Sequence, residues 1–291
     1  GKYLGHVFDF IEVEKLIDKK IKNIITLKRQ YRMNEKICSL VNKYFYNGNL
    51  ITDVSVKTKN YPKFINENLI LVDTSSSNPF CQMPAAGSRY NMVHAGAIRN
   101  LCVYLNDQKL IKDITSVGVT TPYKAQQIFI SDLIKEFSLN DIVSGTVHRF
   151  QGDQKDIVIF DIPDSEGVYP SPLIDAASSR EHGAKLMNVA FSRSKDILIV
   201  FANVVYLQER LPANSILRNL ILDLQKKGKV IDIKEIIKLG PFNLPSRPNL
   251  TPKTKIKIND NDINWFNEND FEKTFEDDLK KAKKTIIIFS A

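Results

Sequence analysis

Apolar and polar positions alternate along the chain in blocks that predict strands followed by helices. The predicted strands are residues 24–27, 68–72, 116–121, 141–147, 156–161 and 196–201. The predicted helices are residues 8–22, 34–45, 91–105, 122–137, 185–191 and 215–227, and Asn34 is a plausible N-cap. Residues 196–201 are apolar almost throughout, as in a strand covered on both faces. Strands that alternate with helices predict an α/β fold with a mostly parallel sheet.

The pattern changes after about residue 228. Residues 240–252 carry four prolines and predict a linker. Beyond them, a charged amphipathic helix at 271–284 and a strand at 285–289 predict a short α/β appendage that the chain only begins. We therefore expect three parts: a main domain at 1–230, a Pro/Lys-rich linker at 231–258, and the start of a C-terminal domain at 259–291.

Composition narrows the class of protein without naming a ligand. The chain has 291 residues, 43% of them hydrophobic, which is enough to bury a full core. The net charge of +8 and the pI of about 9.2 favour polyanionic partners, although a lysine-rich surface gives the same balance.

The three cysteines, Cys38, Cys81 and Cys102, have no zinc-site spacing. Their odd number fits a reducing compartment. Because the chain shows neither a signal-like start nor an apolar run of membrane-spanning length, we expect a soluble, cytoplasmic protein without membrane contact. Asp153 and Asp156 are close enough to suggest a metal site, but no third ligand matches them, so a solvated loop is preferred and no metal is predicted.

Polar clusters follow three of the predicted strands. Gln30, Tyr31 and Arg32 follow residues 24–27, and Pro122 with Tyr123 follows the strand at 116–121. Residues 148–154 follow the strand at 141–147 and are the densest of these clusters. Ligands of open α/β sheets bind at the carboxyl ends of strands, so we expect all three clusters to lie at one edge of the sheet.

Three stretches, in this order, carry a resemblance to a known family. They are Gln30-Tyr-Arg-Met33 with Phe45-Tyr-Asn-Gly-Asn-Leu50, then Val117-Gly-Val-Thr-Thr-Pro-Tyr-Lys-Ala-Gln126, then Thr146-Val-His-Arg-Phe-Gln-Gly152 with Asn188-Val-Ala-Phe-Ser-Arg-Ser-Lys195. Over roughly residues 20–205 the chain resembles the second RecA-like domain of superfamily 1 helicases, in the branch of the nonsense-mediated-decay helicases. The resemblance implies a RecA-like three-layer αβα sandwich.

The resemblance also implies a nucleotide site. Tyr31 would stack on the adenine ring, and Arg32 and Arg193 would reach the γ-phosphate as arginine fingers, since a planar and permanently charged fork neutralises phosphoryl oxygens. The further residues on the nucleotide side would be Gln30, Gln151, Gly152 and Gln154. Gln154 departs from the family, which has a ribose-binding glutamate at this position. Taken alone, without the surrounding Gln30-Tyr-Arg-Met33, Tyr31 fits a core or staple aromatic better than a stacking residue, and Arg32 and Arg193 fit surface ion pairs better than phosphate contacts.

A second set of residues lies where the family contacts a single strand of nucleic acid. These residues are Thr121, Pro122, Tyr123, Gln126, Ser144, Thr146 and His148. Small hydroxyls suit contacts to the sugar–phosphate backbone, and an aromatic face suits base stacking. His148 fits a solvated loop position as well as a phosphate contact.

The chain contains no Gly-x-x-x-x-Gly-Lys-Ser/Thr phosphate loop and no acidic Mg²⁺-binding motif. In the family both lie in the first RecA-like domain, so ATP and Mg²⁺ would be held with an N-terminal RecA-like domain of the same protein, and this chain alone would not hydrolyse ATP at a useful rate. The resemblance implies the C-terminal motor domain of an ATP-dependent helicase acting on single-stranded DNA or RNA. Residues 270–290 resemble the opening of phospholipase D-like domains, with a generic helix–strand pair as the alternative.

A function from a different class stays open at this stage. The chain fits a nucleic-acid-binding or scaffold module that has lost ATP chemistry, and the uncharged Gln154 is the main support for it.

Overall fold

The computed structural model describes residues 27–84, 88–150 and 152–240. The predicted helix at 8–22, most of the proline-rich linker and the predicted C-terminal appendage lie outside these residues. Of the predicted strand at 24–27 only Leu27 is described, and it is 84% exposed and outside any strand.

Six parallel strands form the central sheet, in the order β10-β3-β9-β8-β6-β7. The strands are β3 (Leu69–Asp73), β6 (Val117–Thr121), β7 (Val143–Thr146), β8 (Lys155–Ile162), β9 (Ser194–Ala202) and β10 (Lys229–Asp232). Two further pairs are short: β1 (Arg29–Gln30) runs parallel to β2 (Ile51–Thr52), and β4 (Cys81–Gln82) runs antiparallel to β5 (Tyr90–Asn91). The predicted α/β fold with a parallel, RecA-like sheet is confirmed.

Helices cover both faces of this sheet. They are α1 (Glu35–Phe45), α2 (Met92–Asp107), α3 (Lys124–Glu136), α4 (His182–Phe191), α5 (Val204–Arg210), α6 (Ile216–Lys227) and α7 (Ile233–Ile237). Helix α1 contacts α4 and α6, whereas α2 contacts α3 and α7. Asn34 caps α1 as predicted, because its side chain accepts a hydrogen bond from the Lys36 amide at 2.9 Å.

Alternation along β9 divides the core into two layers. Leu198 and Val200 belong to the apolar cluster under α1, α4 and α6. The intervening Ile199 and Phe201 point to the other face, where the Phe201 ring lies 6.4 Å from His94 of α2. Because both faces bury side chains, the strand is apolar almost throughout, as the sequence predicted.

A buried polar network ties the carboxyl ends of the strands to α2 and α3. The His94 ring contacts Asp161 at 2.7 Å and Thr74 at 2.9 Å. The Gln126 amide donates to Asp161 at 2.6 Å and accepts from the Asn91 backbone at 2.8 Å. All five side chains are fully buried, so the network fixes where α2 and α3 begin.

The predicted domain boundary at residue 230 falls inside an edge strand of the sheet. Strand β10 pairs with β3, and the Asn100 amide of α2 holds α7 by donating to the Ile237 carbonyl at 2.9 Å. Residues 231–237, which we expected to open the linker, therefore belong to the sheet domain. The short β10 was not predicted because only two of its four residues are apolar.

Strands β7 and β8 flank β6 and are both parallel to it. The connection between them therefore runs from the carboxyl edge of the sheet, where β7 ends, to the amino edge, where β8 begins. It forms a 3-10 turn at Val147–Phe150 and then reaches β8. The buried Phe150 ring packs against two strand glycines, where an added Cβ would lie 2.6 Å from the ring at Gly118 and 2.9 Å at Gly145. These glycines make room for the ring, and the ring fixes the crossing connection.

The substitution Gly118→Ala tests this packing. The new Cβ would press on Phe150 and on the Lys155 side chain, so we expect the free energy of unfolding to fall by about 1–3 kcal/mol. Urea denaturation measures this cost. In a Phe150→Leu background the cost should shrink, because the smaller side chain leaves room for the methyl group. An equal cost in both backgrounds would contradict the packing.

Candidate functional site at the two edges of the sheet

The predicted site residues lie at two opposite edges of the sheet instead of one. Asp153 and Gln154 directly precede β8, and Arg193 directly precedes β9, so they lie at the amino ends of these strands. The turn at residues 30–33 joins them there, because the Asn34 amide donates to the Lys195 carbonyl at 2.7 Å. The expectation that all clusters lie at the carboxyl edge is therefore wrong for the nucleotide side.

Gln30 organises the turn that presents Tyr31. Its side-chain oxygen accepts from the backbone amides of Arg32 at 2.8 Å and Met33 at 2.7 Å. Its amide donates to the Met33 carbonyl and to Thr52 Oγ1, both at 2.8 Å. With its side chain committed to these bonds, Gln30 shapes the turn and leaves Tyr31 67% exposed, with its ring free to stack.

Arg32 and Arg193 bring two positive charges together at this edge. Arg32 Nη1 donates to the Ser192 carbonyl at 3.0 Å, which holds its guanidinium beside the start of β9. Burial, together with the nearby charge of Arg32, lowers the pKa of Arg193. Arg193 Nε is buried and, within the described part of the chain, has no hydrogen-bond partner. Two close guanidiniums with an unused buried donor suit a multiply charged anion such as a phosphate.

Asp153 and Lys155, at the start of β8, hold Arg193 in position. Lys155 is only 1% exposed, and its ammonium contacts the Ile114 carbonyl at 2.6 Å and the Asp153 carboxylate at 2.8 Å. Arg193 Nη1 lies 3.4 Å from the Asp153 carbonyl, and the Lys155 amide donates to the Arg193 carbonyl at 3.0 Å. The start of β8 thus fixes the backbone and one nitrogen of Arg193.

Two other predicted nucleotide residues are described and lie on the surface. Gly152 is exposed with a φ of +86°, the left-handed region that favours glycine. Gln154 is exposed, and its backbone amide donates to Asp153 Oδ1 at 2.8 Å. Gln151 lies outside the described residues.

Two residues near Arg193 were not among the predicted site residues. Asn188 donates to the Tyr46 hydroxyl at 3.2 Å, and its side-chain oxygen is buried without a partner among the described residues. Tyr46 lies close enough to Arg193 to influence its pKa. Both lie inside the recognised stretches, and this position in the sequence was the signal that could have identified them as site residues. No sequence signal marks Lys155 as buried, because lysine at a strand end is usually exposed.

The carboxyl edge holds the predicted nucleic-acid residues, and most of them are buried. Thr121 and Tyr123 are 1% and 4% exposed. Gln126 is fully buried in the network with Asp161, so it positions α3 and does not reach the surface. Ser144 is buried and lies 3.3 Å from the Gln127 carbonyl.

The surface of this edge is formed by the remaining predicted residues and by one that was not predicted. Pro122 and Thr146 are half-buried, and His148 is exposed with its ring 6.1 Å from that of His182. Arg149 is exposed on the same 3-10 turn. A half-buried hydroxyl beside exposed histidine and arginine suits a phosphate backbone.

The carboxylates considered for a metal are engaged with lysines. Asp153 pairs with Lys155, and Asp156 pairs with Lys59 at 2.8 Å and Lys195 at 3.7 Å. In the described ranges no group of three His, Cys, Asp or Glu side chains converges. Nor does any helix in those ranges combine the length and apolar character that crossing a bilayer requires.

Replacing Lys155 with methionine should raise the pKa of Asp153. Burial raises this pKa, but contacts from Lys155 and the Gln154 amide outweigh it and hold the pKa below the ordinary 3.8. In the wild type the carboxylate therefore stabilises the fold above that pH, and the contribution is lost as the pH falls through the lowered pKa. Without the lysine the pKa should rise, while the backbone amide of Gln154 and the charge of Arg193 continue to lower it.

A carbon-detected NMR titration of the Asp153 carboxyl measures this change. Asp53 is the internal control, because Ser55 and Arg29 hold its pKa at about 2. An Asp153 pKa in Lys155→Met that equals the wild-type pKa would contradict the assigned role of the lysine.

Comparison with known proteins identifies the family to which this chain is similar. A family model described as an AAA domain matches residues 11–205. The DNA replication ATP-dependent helicase/nuclease DNA2 of Bos taurus is 27% identical over 253 residues, which cover 75% of this chain and 22% of that protein.

Two further relatives come from distant organisms. The DNA polymerase alpha-associated DNA helicase A of Saccharomyces cerevisiae is 28% identical over 62% of this chain and 28% of its own length. An uncharacterised ATP-dependent helicase of Methanocaldococcus jannaschii is 28% identical over 65% of this chain and 28% of its own length. The chain thus matches about a quarter of the length of these relatives. Because the family model covers well over half of its residues, the chain belongs to this AAA domain family and is a superfamily 1 helicase-like domain.

Proposed function

We propose that this chain is the C-terminal motor domain of an ATP-dependent helicase that moves along single-stranded nucleic acid. The observation that carries the proposal is the pair Arg32 and Arg193, two adjacent guanidiniums with an unused buried donor. A γ-phosphate provides the charge and the acceptors that this pair lacks. Bound ATP would supply the chemistry, a phosphoanhydride whose hydrolysis drives movement.

The residues of the amino edge divide the work of holding the nucleotide. Tyr31 offers an exposed ring for the adenine, and Gln30 fixes the turn that presents it. Arg32 and Arg193 hold the phosphate end and neutralise charge that spreads over its oxygens. Mg²⁺ ligands are expected in an N-terminal RecA-like domain of the same protein, which would close over this edge.

The carboxyl edge would bind the single strand of nucleic acid through Thr146, His148 and Arg149. The position of His148 and Arg149 on the connection between β7 and β8 supports coupling between the two sites, because Phe150 fixes the same connection in the core. A shift of the bound nucleic-acid strand at the carboxyl edge would be transmitted as a shift of residues 152–154 at the amino edge. This coupling is part of the proposal.

The order of the three recognised stretches supports the nonsense-mediated-decay branch, and residues 270–290 support a phospholipase D-like start. An intracellular location fits the relatives named as DNA helicases. The competing function is a nucleic-acid-binding or scaffold module without ATP chemistry, favoured by the exposed and uncharged Gln154.

The arginine pair is tested in the full-length protein that contains this chain. Arg32→Ala and Arg193→Ala should each lower the kcat of strand-stimulated ATP hydrolysis at least a hundredfold, because transition-state charge loses its partner. Lysine at either position should rescue little, since it lacks the planar fork. Steady-state kinetics with saturating single-stranded DNA give kcat and KM separately.

Arg218→Ala serves as the matched control, because Arg218 lies on α6, away from the arginine pair, and donates to the Leu211 carbonyl at 2.9 Å. Full activity in Arg32→Ala and Arg193→Ala would show that they are not arginine fingers. A full-length wild type that binds strands without hydrolysing ATP would favour the scaffold function.

Binding of a single strand by this chain should depend on salt. We expect the logarithm of affinity for an oligonucleotide to fall linearly with the logarithm of salt concentration. Arg149→Ala should reduce that slope by roughly 0.7, the value for one phosphate contact on a single strand. Fluorescence anisotropy at several salt concentrations measures both, again with Arg218→Ala as the control. An affinity that does not respond to salt would argue against a phosphate-binding edge.

A further inference from the structure

Two exposed aromatic side chains stand at the carboxyl edge outside the site described above. Tyr169, in the loop after β8, is 77% exposed, and Phe80, in the segment after β3, is 57% exposed. Exposed rings of this size lose favourable burial, so a pair on neighbouring loops calls for an explanation.

The loop that carries Tyr169 is held in place by the protein core. Backbone carbonyls of residues 166, 168 and 169 accept hydrogen bonds from three different segments. The donors are the Cys81 amide at 2.8 Å, the Tyr206 hydroxyl at 2.6 Å and Arg89 Nη1 at 2.6 Å, in that order. The ring is thus presented from a fixed backbone, which limits the entropy lost when a ligand stacks on it.

Phe80 lies against the same loop. Gly167 has a φ of +95°, and a Cβ there would lie 2.4 Å from the Phe80 ring. The ring therefore rests on the glycine with one edge and leaves the rest exposed. The loop needs glycine at this position for both its backbone conformation and this close approach.

Arginines connect these rings to the proposed strand-binding edge. The Arg210 guanidinium lies 5.9 Å from the Tyr169 ring centroid. Arg89, which holds the Tyr169 carbonyl, lies 5.6 Å from the ring of Tyr123. Tyr123 is the second residue after β6, so the aromatic pair continues the edge that Thr146 and His148 occupy.

We propose that Phe80 and Tyr169 form a base-stacking platform that extends the proposed strand-binding edge. The ligand is single-stranded nucleic acid, because exposed rings with arginine beside them match unpaired bases joined by phosphates. Stacking uses the face that all bases share, so the platform tolerates any sequence. The inference rests on the proposed function, since it adds a binding site to the same edge.

The test measures affinity of this chain for a single-stranded oligonucleotide that contains 2-aminopurine. Tyr169→Ala and Phe80→Ala should each weaken binding about tenfold, because base–aromatic stacking is lost. Tyr169→Phe should stay within about twofold of wild type, since it keeps the ring. Quenching of 2-aminopurine on binding should be lost in Tyr169→Ala and kept in Tyr169→Phe.

Phe137→Ala is the matched control. Phe137 is also an exposed aromatic with an arginine beside it, Arg99 at 5.5 Å, but it follows α3 and lies at the amino edge. We expect its loss to leave affinity unchanged. Thermal unfolding checks that each variant is folded. If Phe80→Ala does not fold, Phe80→Leu replaces it, because leucine keeps apolar packing on Gly167 without a ring and should also weaken binding.

Each further outcome has a distinct meaning. Wild type that binds no single strand overturns the platform and the strand-binding part of the proposed function together. Wild type that binds, with Tyr169→Ala and Phe80→Leu unchanged, overturns the platform alone and leaves the surface to a protein partner. A Tyr169→Phe variant as weak as Tyr169→Ala shows that the hydroxyl binds the ligand, which overturns stacking.

Discussion

The packing of Phe150 against Gly118 and Gly145 is the constraint on which the functional arrangement depends. Strands β7 and β8 both flank β6 and run parallel to it, so their connection must cross the sheet from its carboxyl edge to its amino edge. The aromatic ring fixes this crossing in the core. The connection therefore carries the exposed His148 and Arg149 at the carboxyl edge, and at the amino edge it carries Asp153, whose carbonyl lies 3.4 Å from Arg193 Nη1.

The amino edge gains its chemistry from segments that are far apart along the chain. The turn that Gln30 shapes, the start of β8 and the start of β9 meet there through backbone hydrogen bonds. Lys155 is buried and pairs with the half-exposed Asp153 carboxylate in the segment that holds Arg193. Removal of Asp153 would leave the buried Lys155 ammonium without its carboxylate partner. This fits a role in positioning more than a role in folding.

Burial separates residues that support the carboxyl edge from those that can touch a ligand there. Gln126 belongs to the network with His94 and Asp161, which fixes the start of α3 and so the loop at Pro122. The exposed surface consists of other side chains, including Tyr169 on the loop after β8, which is not among the recognised stretches. A polar residue at the end of a strand thus indicates which edge of the sheet it lies at, but it does not indicate whether its side chain is exposed.

The sequence alone determined the parallel α/β fold, the helix cap at Asn34 and the residues of the recognised stretches. It could do so because strand burial and capping leave local patterns in the chain. The division of the site between two edges, the burial of Gln126 and the exposure of Tyr169 were decided only by tertiary structure. These properties depend on which strands are neighbours, and strand order arises from contacts between distant segments that no local pattern records. The short edge strand β10 is likewise defined by its pairing with β3, because only two of its four residues are apolar and they leave a weak local pattern.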